Sequence, residues 1–355
     1  MQDPEEKYFK GRGAQINSHN PFNKHMVVRE HLEGLDDELL TNTGTRFYNE
    51  HPKKIINKVD SPDLGFMFSM NPYQGCEHGC VYCYARNAHH YWGFSAGLDF
   101  ERNIVVKKNA ASLLEKELLN PRWQPAPIML SGNTDCYQPA ERKFGLTRAL
   151  LEVFLNFRHP VSIITKNNLI LRDIDLLSEL ARHRLVHVAV SITTLDESLR
   201  RNLEPRTVTG QGRLRVIKKL TEAGIPCMVM NAPIIPGLNS AEIPVILSAA
   251  ADHGALAAGM TIVRLNGAIA ELFTDWISKN YAERASKVLQ LIASCHGGKL
   301  NDSEFGRRIR GDGNVAESIT SLFRVTREKH FSGKAMPNYD LTVFRRVRNG
   351  QAVLF

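Results

Sequence analysis

From about residue 61 to residue 263, the chain alternates short apolar runs with stretches of helical periodicity. The apolar runs, which we predict to be strands, are residues 66–70, 128–130, 161–165, 186–192, 227–231 and 260–263. The predicted helices between them are residues 109–119, 146–157, 172–183, 211–223 and 241–253. This alternation predicts an α/β fold with a parallel sheet and right-handed crossovers. Six units fit an open, partial (β/α)6 barrel or a doubly wound sheet, and both gather function at the carboxyl ends of the strands.

Three cysteines lie close together on the loop that follows the first predicted strand. Cys76, Cys80 and Cys83 have the spacing C-x3-C-x2-C, and the next cysteine along the chain is Cys136. A cubane iron–sulfur cluster whose irons are all bound by protein needs a fourth cysteine. The spacing is therefore typical of a [4Fe-4S] cluster with one open iron, which is a place to bind and activate another molecule.

A structural zinc site is the alternative interpretation of these cysteines. Zinc is commonly held by three cysteines and one histidine, and His78 or His89 would supply the histidine here. Zinc-binding sequences usually pair two cysteine knuckles, however, and the chain has no second knuckle. The cluster interpretation is therefore preferred.

Composition sets broader limits on the protein. Its 355 residues are 43% hydrophobic, which is enough for one large barrel or two domains. No apolar run approaches the length of about 18 residues that a membrane span requires, and the amino terminus is too polar for a signal peptide. We therefore expect a cytoplasmic protein.

We divide the chain into an irregular extension at 1–60, a core at 61–300 and a basic extension at 301–355.

The cysteine loop resembles that of the radical S-adenosylmethionine (SAM) superfamily, most closely its branch of spore photoproduct lyases and "DNA repair photolyase" proteins. Three segments carry the resemblance: Asn71-Pro-Tyr-Gln-Gly-Cys-Glu-His-Gly-Cys-Val-Tyr-Cys-Tyr-Ala-Arg86, Thr134-Asp-Cys-Tyr-Gln-Pro-Ala-Glu141 and Ile164-Thr-Lys-Asn167. It covers roughly residues 55–300. It implies a partial barrel and two cofactors, a [4Fe-4S] cluster on Cys76, Cys80 and Cys83, and SAM on the open iron. It also implies an electron donor such as flavodoxin or ferredoxin.

The resemblance further implies reductive cleavage of SAM to a 5′-deoxyadenosyl radical, which abstracts a hydrogen atom from the substrate.

The residues that the resemblance implies for SAM binding follow the predicted strands, and each also has a plain structural interpretation. Tyr82 would lie against the adenine. The turn after the second strand would meet the methionine amino group through Ser131, Asn133, Thr134 and Asp135, although Asp135 also suits a helix cap. Lys166 and Arg206 would face the methionine carboxylate, and Glu204 is the alternative partner of Arg206. Ser191 would face the ribose.

One departure from spore photoproduct lyase affects the predicted chemistry. That enzyme uses a cysteine in the turn after its second strand as a hydrogen donor, and Gly132 occupies the corresponding place here. Cys136 lies four residues later and is the candidate for the same catalytic role. Its alternative is simple packing, because free cysteine is often a buried small hydrophobe. The departure puts thymine-dimer repair in doubt, but not radical initiation.

The carboxyl-terminal extension is rich in cations. Residues 301–355 hold ten Arg and Lys against six Asp and Glu, a net charge of +4 out of +8 for the chain. Four aromatic residues lie among these cations: Phe323, Phe331, Tyr339 and Phe344. They would suit contact with nucleic acid, and they would equally suit an ordinary hydrophobic core. The last five residues, from Gln351 to Phe355, resemble the pentapeptide by which bacterial repair proteins dock on the sliding clamp.

Together these features predict a radical SAM enzyme whose substrate is a nucleic-acid lesion or nucleotide. Two alternatives stay open. One is radical modification of RNA or of a protein side chain, and the other is a non-catalytic nucleic-acid-binding module stabilised by a bound metal.

Overall fold

The computed structural model describes residues 9–22, 44–348 and 351–353. Its strands are β1 Arg46–Glu50, β2 Ile56–Lys58, β3 Phe68–Met70, β4 Tyr73–Gln74, β5 Asn103–Lys107, β6 Ile128–Leu130, β7 Val161–Thr165, β8 Val186–Ser191, β9 Cys227–Ile234, β10 Ala257–Ile262, β11 Arg346–Arg348 and β12 Gln351–Val353. Its α-helices are α1 Leu98–Arg102, α2 Ala110–Leu118, α3 Glu141–Phe144, α4 Leu146–Phe157, α5 Ile174–Arg182, α6 Glu197–Leu203, α7 Gly210–Glu222, α8 Ile243–Asp252, α9 Ile269–Asn280, α10 Ala282–Ser294 and α11 Asn314–Phe331. Short 3-10 helices cover Tyr84–Trp92, Asn168–Asp173, Ser240–Glu242 and Leu341–Val343.

The main sheet has seven strands in the order β10-β9-β8-β7-β6-β3-β2. Six of these strands, β3 and β6 to β10, are mutually parallel. The seventh, β2, pairs antiparallel to β3 at the edge. Because these six strands follow one another in chain order, right-handed crossovers put every connecting helix on the same face. A doubly wound sheet reverses its strand order and covers both faces, so this sheet is the partial (β/α)6 barrel. The predicted fold class is confirmed.

Apolar residues at the expected periods explain why these elements form and pack. In α4, Leu150, Leu151 and Phe154 recur at helical spacing and are fully buried. In β7, burial alternates with period two, so Val161 and Ile163 join the core beneath the helices. The opposite face of the sheet carries the alternate positions and lines the inside of the barrel.

Two strands lie within 1–60, where we predicted little regular structure, so that prediction is wrong for this part of the range. β1 pairs in parallel with β5 in a second sheet, ordered β1-β5-β4, and β2 extends the main sheet. The side chains of β1 are mostly exposed, so its sequence has little apolar signal. What makes β1 a strand is pairing with β5, more than 50 residues away in the chain.

The carboxyl-terminal extension packs on the barrel instead of forming a separate cationic surface. Phe323 and Phe331 belong to the main hydrophobic core, and Phe344 packs against it. The Tyr339 ring stacks on His187, with 4.0 Å between the ring centroids, beneath the amino ends of the strands. Of the two interpretations of these four aromatics, their positions support the ordinary core, because their rings bury apolar surface.

Several cations of this extension are also bound within the chain, at separate places. Arg308 donates to Asp63 and Ser61 of the β2–β3 connection, and Arg307 pairs with Asp302 and Glu304. Arg346 donates to the carbonyl of Trp123 near the other end of the strands. Among the described helices, none is both long and apolar enough to cross a membrane.

Candidate active site

The three predicted cluster ligands lie on one loop at the carboxyl end of the parallel strands. The loop follows β3 and β4 and leads into the 3-10 helix Tyr84–Trp92. Cys76 and Cys80 are each 6% exposed, and Cys83 is partly buried. Burial raises the pKa of all three thiols, and nearby cysteine and carboxylate charges add to this for Cys76. The loop turns sharply at Gly75 and Gly79, whose φ angles of +75° and +70° favour glycine.

Buried hydrogen bonds hold this loop against the rest of the protein. The Arg86 guanidinium donates from Nε to the Cys80 carbonyl at 2.9 Å and pairs with Glu101 at 2.6 Å. Neither Arg86 nor Glu101 is exposed. The Cys76 amide also donates to the carbonyl of Phe100 at 2.9 Å. Loop geometry therefore depends on α1, which holds both Phe100 and Glu101.

A buried carboxylate, Glu204, connects the cysteine loop to the ends of the strands. It follows α6, is fully buried, and accepts hydrogen bonds from the hydroxyl of Tyr82 and the guanidinium of Arg213. It also accepts from Thr193 Oγ1 at 2.6 Å and from Lys166 Nζ at 2.9 Å. Burial raises the pKa of Glu204, but Arg213 and Lys166 outweigh it and hold that pKa well below its ordinary value. We refer to Glu204, Lys166, Arg213, Tyr82 and Thr193 as the Glu204 cluster.

Three of the predicted SAM-binding residues meet at the Glu204 cluster. Lys166 Nζ lies 3.0 Å from Ser191 Oγ and 5.5 Å from the centroid of the Tyr82 ring. Lys166 follows β7 and Ser191 ends β8, so neighbouring strand ends bring them together. Glu204 was expected only as an alternative partner of Arg206, and Arg213 was not among the predicted site residues. Neither residue belongs to a recognisable spacing pattern, so nothing in the sequence identified their common role.

The turn after β6 is held in place by its own polar side chains. Ser131 accepts from the amide of Cys136 at 2.7 Å, Asn133 donates to Gln74 at 3.0 Å, and Thr134 donates to the carbonyl of Tyr73 at 2.6 Å. These bonds fix the turn against the segment that precedes the cysteines.

Asp135 joins the same turn to the end of β7. Its carboxylate accepts from Thr165 Oγ1 and from the amide of Lys166, each at 2.8 Å, and lies 3.4 Å from His78 Nδ1. The contacts observed for Asp135 are therefore those of a residue that positions Lys166 and the cysteine loop.

Besides the residues of this turn, two further predicted residues lie outside the Glu204 cluster. The guanidinium of Arg206 lies 3.7 Å from Glu77, and its side chain is 39% exposed, so the expectation that Glu204 is its partner is wrong. Cys136 is 0% exposed and packs in the main hydrophobic core, where burial raises its pKa. Its burial agrees with the packing alternative and does not support a catalytic role.

The histidines proposed for a zinc site have other surroundings. His78 lies 3.1 Å from the Asn167 amide, and burial lowers its pKa. The ring of His89 lies against the rings of Phe94 and Phe100, and burial lowers its pKa to about 4. Within the described ranges, no three His, Cys, Asp or Glu side chains are grouped so that they could hold a metal ion, and this includes the three cysteines, so the grouping does not distinguish zinc from an iron–sulfur cluster. The positions of these two histidines therefore do not favour zinc.

Beside the cysteine loop, one aromatic ring and one arginine face the open side of the barrel. Tyr84 is 53% exposed and donates from its hydroxyl to the carbonyl of Gly132 at 2.6 Å. Arg264, which follows β10, is partly buried and donates to the carbonyl of Asp302 at 3.4 Å. It forms no ion pair with a carboxylate of the described residues. An exposed aromatic ring and a guanidinium without a direct ion pair in the described part of the chain thus lie near the predicted cluster, and the Asp63 and Asp302 carboxylates offset part of the charge of Arg264.

Comparison with known proteins identifies the class that this fold and site define. The Radical SAM superfamily profile matches residues 70–250, half of the chain. The chain belongs to the radical SAM superfamily. An uncharacterized protein of Mycobacterium tuberculosis is 36% identical over 251 residues, which are 70% of this chain and 74% of the relative. An uncharacterized protein of Methanocaldococcus jannaschii is 32% identical over 190 residues, 54% of this chain and 68% of the relative.

Solved structures show the same fold. Spore photoproduct lyase complexed with dinucleoside spore photoproduct matches with a TM-score of 0.59 at 15% identity, over 81% of this chain and 80% of that one. A double mutant of that enzyme with bound AdoMet and dinucleoside spore photoproduct matches with a TM-score of 0.58 at 16% identity, over 81% and 79%. At such low identity the likeness concerns the fold alone.

Membership of the superfamily defines the cofactors and the general chemistry. Radical SAM proteins use a [4Fe-4S] cluster and SAM, and they generally need a reductant such as flavodoxin or ferredoxin. The protein is therefore an enzyme of radical SAM chemistry.

Proposed function

We propose that Cys76, Cys80 and Cys83 hold the [4Fe-4S] cluster. The observation that carries the proposal is that three cysteines with the spacing C-x3-C-x2-C lie on one largely buried loop at the carboxyl ends of the strands, with no fourth cysteine in the loop. When bound, the cluster and SAM supply reductive cleavage of SAM and hydrogen-atom abstraction from the substrate. Burial of the loop suits this chemistry because it excludes water from the reacting groups.

In this proposal the Glu204 cluster binds and orients SAM. Within the Glu204 cluster, Lys166 and Arg213 carry two positive charges against the single negative charge of Glu204, and the neighbouring Asp135 carboxylate lies on the backbone side of Lys166. Lys166 is 16% exposed and Arg213 only 1%, so Lys166 is the cation that can reach the methionine carboxylate. Ser191 offers a hydroxyl beside it, and Tyr82 an aromatic face. Ser131, Asn133, Thr134 and Asp135 contribute by shaping the adjacent turn.

The proposed substrate is a nucleic-acid lesion or a nucleotide. The fold shared with spore photoproduct lyase supports this class, and so do the exposed ring of Tyr84 and the partly buried guanidinium of Arg264. An aromatic face can stack on a base, and a guanidinium can bind a phosphate. Radical modification of RNA or of a protein side chain would use the same initiation chemistry with another substrate.

The test of the substrate class is binding of a single-stranded oligonucleotide at several salt concentrations. Arg264→Ala should weaken binding and reduce the slope of log affinity against log salt by about one, as expected for one lost phosphate contact. Arg324→Ala is the control, because that side chain is 60% exposed on α11 and lies beside Glu328. Equal slopes for both variants would remove Arg264 from the proposal. An intact protein that binds no oligonucleotide would contradict the substrate class.

Two further proposals concern partners and location. Docking on a bacterial sliding clamp through residues 351–355 rests on the sequence resemblance, and Leu354 and Phe355 lie outside the described residues. Deleting residues 351–355 should abolish clamp capture in a pull-down. Capture of the clamp by the truncated chain, or no capture by the intact chain, would refute the docking.

A cytoplasmic location of the protein stays a prediction.

A further inference from the structure

The amino-terminal segment 9–20 packs across the cysteine loop, and we define it as the strap. The strap contacts α1 and the residues just before α1. The side-chain amide of Asn20 donates from Nδ2 to the carbonyls of His90 and Phe94, and the backbone amide of Leu98 donates to the carbonyl of Ile16 at 3.2 Å. The Gly-Arg-Gly sequence at 11–13, which the proposed chemistry does not use, lies within the strap.

The strap approaches the cysteine loop most closely at Gly13. A Cβ added to Gly13 would lie 1.8 Å from the carbonyl oxygen of Gly79, so only glycine fits without displacement of the backbone. Gly79 precedes Cys80 directly. The strap therefore touches the loop between two of the predicted cluster ligands.

The strap shares a buried partner with the loop. Glu101 accepts from the amides of Gly13 and Ala14, at 3.2 and 2.8 Å. The same carboxylate pairs with Arg86, which donates to the carbonyl of Cys80. A continuous set of hydrogen bonds thus runs from the strap through Glu101 and Arg86 to a cluster-bearing residue.

The strap is itself buried against the protein. Arg12 and Ala14 are only 6% and 1% exposed, and Ala14 packs with Ala96 and Leu272. The main hydrophobic core contains no residue of the strap. Displacing the strap should therefore loosen the cysteine loop while leaving the barrel folded.

From these contacts we infer that the strap holds the cysteine loop in the geometry that retains the cluster, with Gly13 as the central positioning residue. The inference rests on the proposed cluster site. It concerns how long the cluster stays bound, which is separate from the identity of the substrate.

The test compares Gly13→Ala with Gly65→Ala. Gly65 is a matched control because it has no positive φ and a Cβ there would meet nothing within 4 Å. Both variants and the intact protein are reconstituted anaerobically, iron and sulfide are counted, and decay of the visible cluster absorbance is followed after addition of an iron chelator. Gly13→Ala should lose the cluster about tenfold faster, as expected when one or two net hydrogen bonds are lost. Gly65→Ala should decay like the intact protein.

Two further measurements separate loop positioning from general damage. The melting temperature of metal-free Gly13→Ala should fall no more than about 5 °C below that of Gly65→Ala, as expected when one or two net hydrogen bonds are lost outside the main core. Asn20→Ala, which releases the far end of the strap, should give an intermediate rate of cluster loss even if Gly13→Ala fails to fold. Equal cluster loss in all variants would overturn the inference while leaving the cluster site intact. An intact protein that holds no iron would overturn both.

Discussion

Lys166 Nζ lies 2.9 Å from Glu204 Oε1, and this contact joins the end of β7 to the end of α6 beneath the cysteine loop. Glu204 is fully buried and also binds the fully buried Arg213. Two cations on one carboxylate make the Glu204 cluster net positive, and the Asp135 carboxylate, which accepts from the Lys166 amide, balances this charge in the wider pocket. The same contact orients Lys166 towards the place where an anionic ligand would bind.

Replacing Glu204 should be strongly destabilising. Glu204→Gln removes the negative charge that compensates buried Arg213, and an uncompensated buried charge costs about 3–5 kcal/mol. Urea unfolding of the metal-free protein measures the change. Glu197→Gln is the control on α6, because Glu197 is partly exposed in its pairs with Arg200 and Arg201, and surface pairs contribute about 1 kcal/mol or less. Similar losses for both variants would contradict the role given to Glu204.

Replacing Lys166 should weaken SAM binding without removing the cluster. Lys166→Met keeps the length of the side chain but removes the cation proposed to face the methionine carboxylate, and loss of one charged hydrogen bond lowers affinity by about tenfold or more. Iron content should stay at the level of the intact protein. Titration of the reduced cluster with SAM, followed by EPR, measures the affinity. Lys218→Met on the surface of α7 is the control, and equal affinities for the two variants would refute the assignment.

Cys136 should be dispensable for SAM cleavage. Cys136→Ala removes a buried sulfur from the main core, so we expect a loss of stability of about 1 kcal/mol and a rate of SAM cleavage within about twofold of the intact protein. The rate is measured as 5′-deoxyadenosine formed under dithionite. A loss of cleavage beyond tenfold in a variant that keeps its iron would restore a functional role to this thiol.

His159 should make stability depend on pH. It accepts a hydrogen bond from Trp123 Nε1 at 3.0 Å, and burial lowers its pKa to about 4. Above pH 6.5 neither the folded nor the unfolded chain protonates this residue. Between pH 6.5 and 4 the unfolded chain binds the proton first, so stability falls as pH falls.

The size of this effect follows from the two pKa values. Between pH 7.5 and 5.5 the contribution of His159 is about 1.4 kcal/mol. Urea titrations of metal-free intact protein and His159→Gln at both values measure it. The intact protein should lose about that much more stability than the variant. An equal loss in the two proteins would show that His159 does not titrate as its burial predicts.

Periodicity was sufficient to predict the barrel. The helix predicted at 146–157 coincides with α4, and the strands predicted at 128–130 and 161–165 coincide with β6 and β7, because each buries one regular face in a single core. β1 was missed because its side chains are mostly exposed and its partner β5 is distant in the chain.

The site was only partly predictable. Lys166 and Ser191 were found because both follow apolar strands, and parallel strands bring their carboxyl ends together. Arg213 was missed because it lies on α7, where an arginine between apolar residues resembles an ordinary surface cation. The contact of Gly13 with Gly79 depends on two segments more than 60 residues apart, and no local pattern records it.

The most direct test of the central proposal is SAM cleavage by the anaerobically reconstituted protein under dithionite, with iron, sulfide and zinc counted beforehand. We predict about four irons per chain, the content of one [4Fe-4S] cluster, and 5′-deoxyadenosine that disappears in Cys80→Ala. About one zinc per chain and no cleavage of SAM would contradict the cluster site and leave a metal-stapled binding protein.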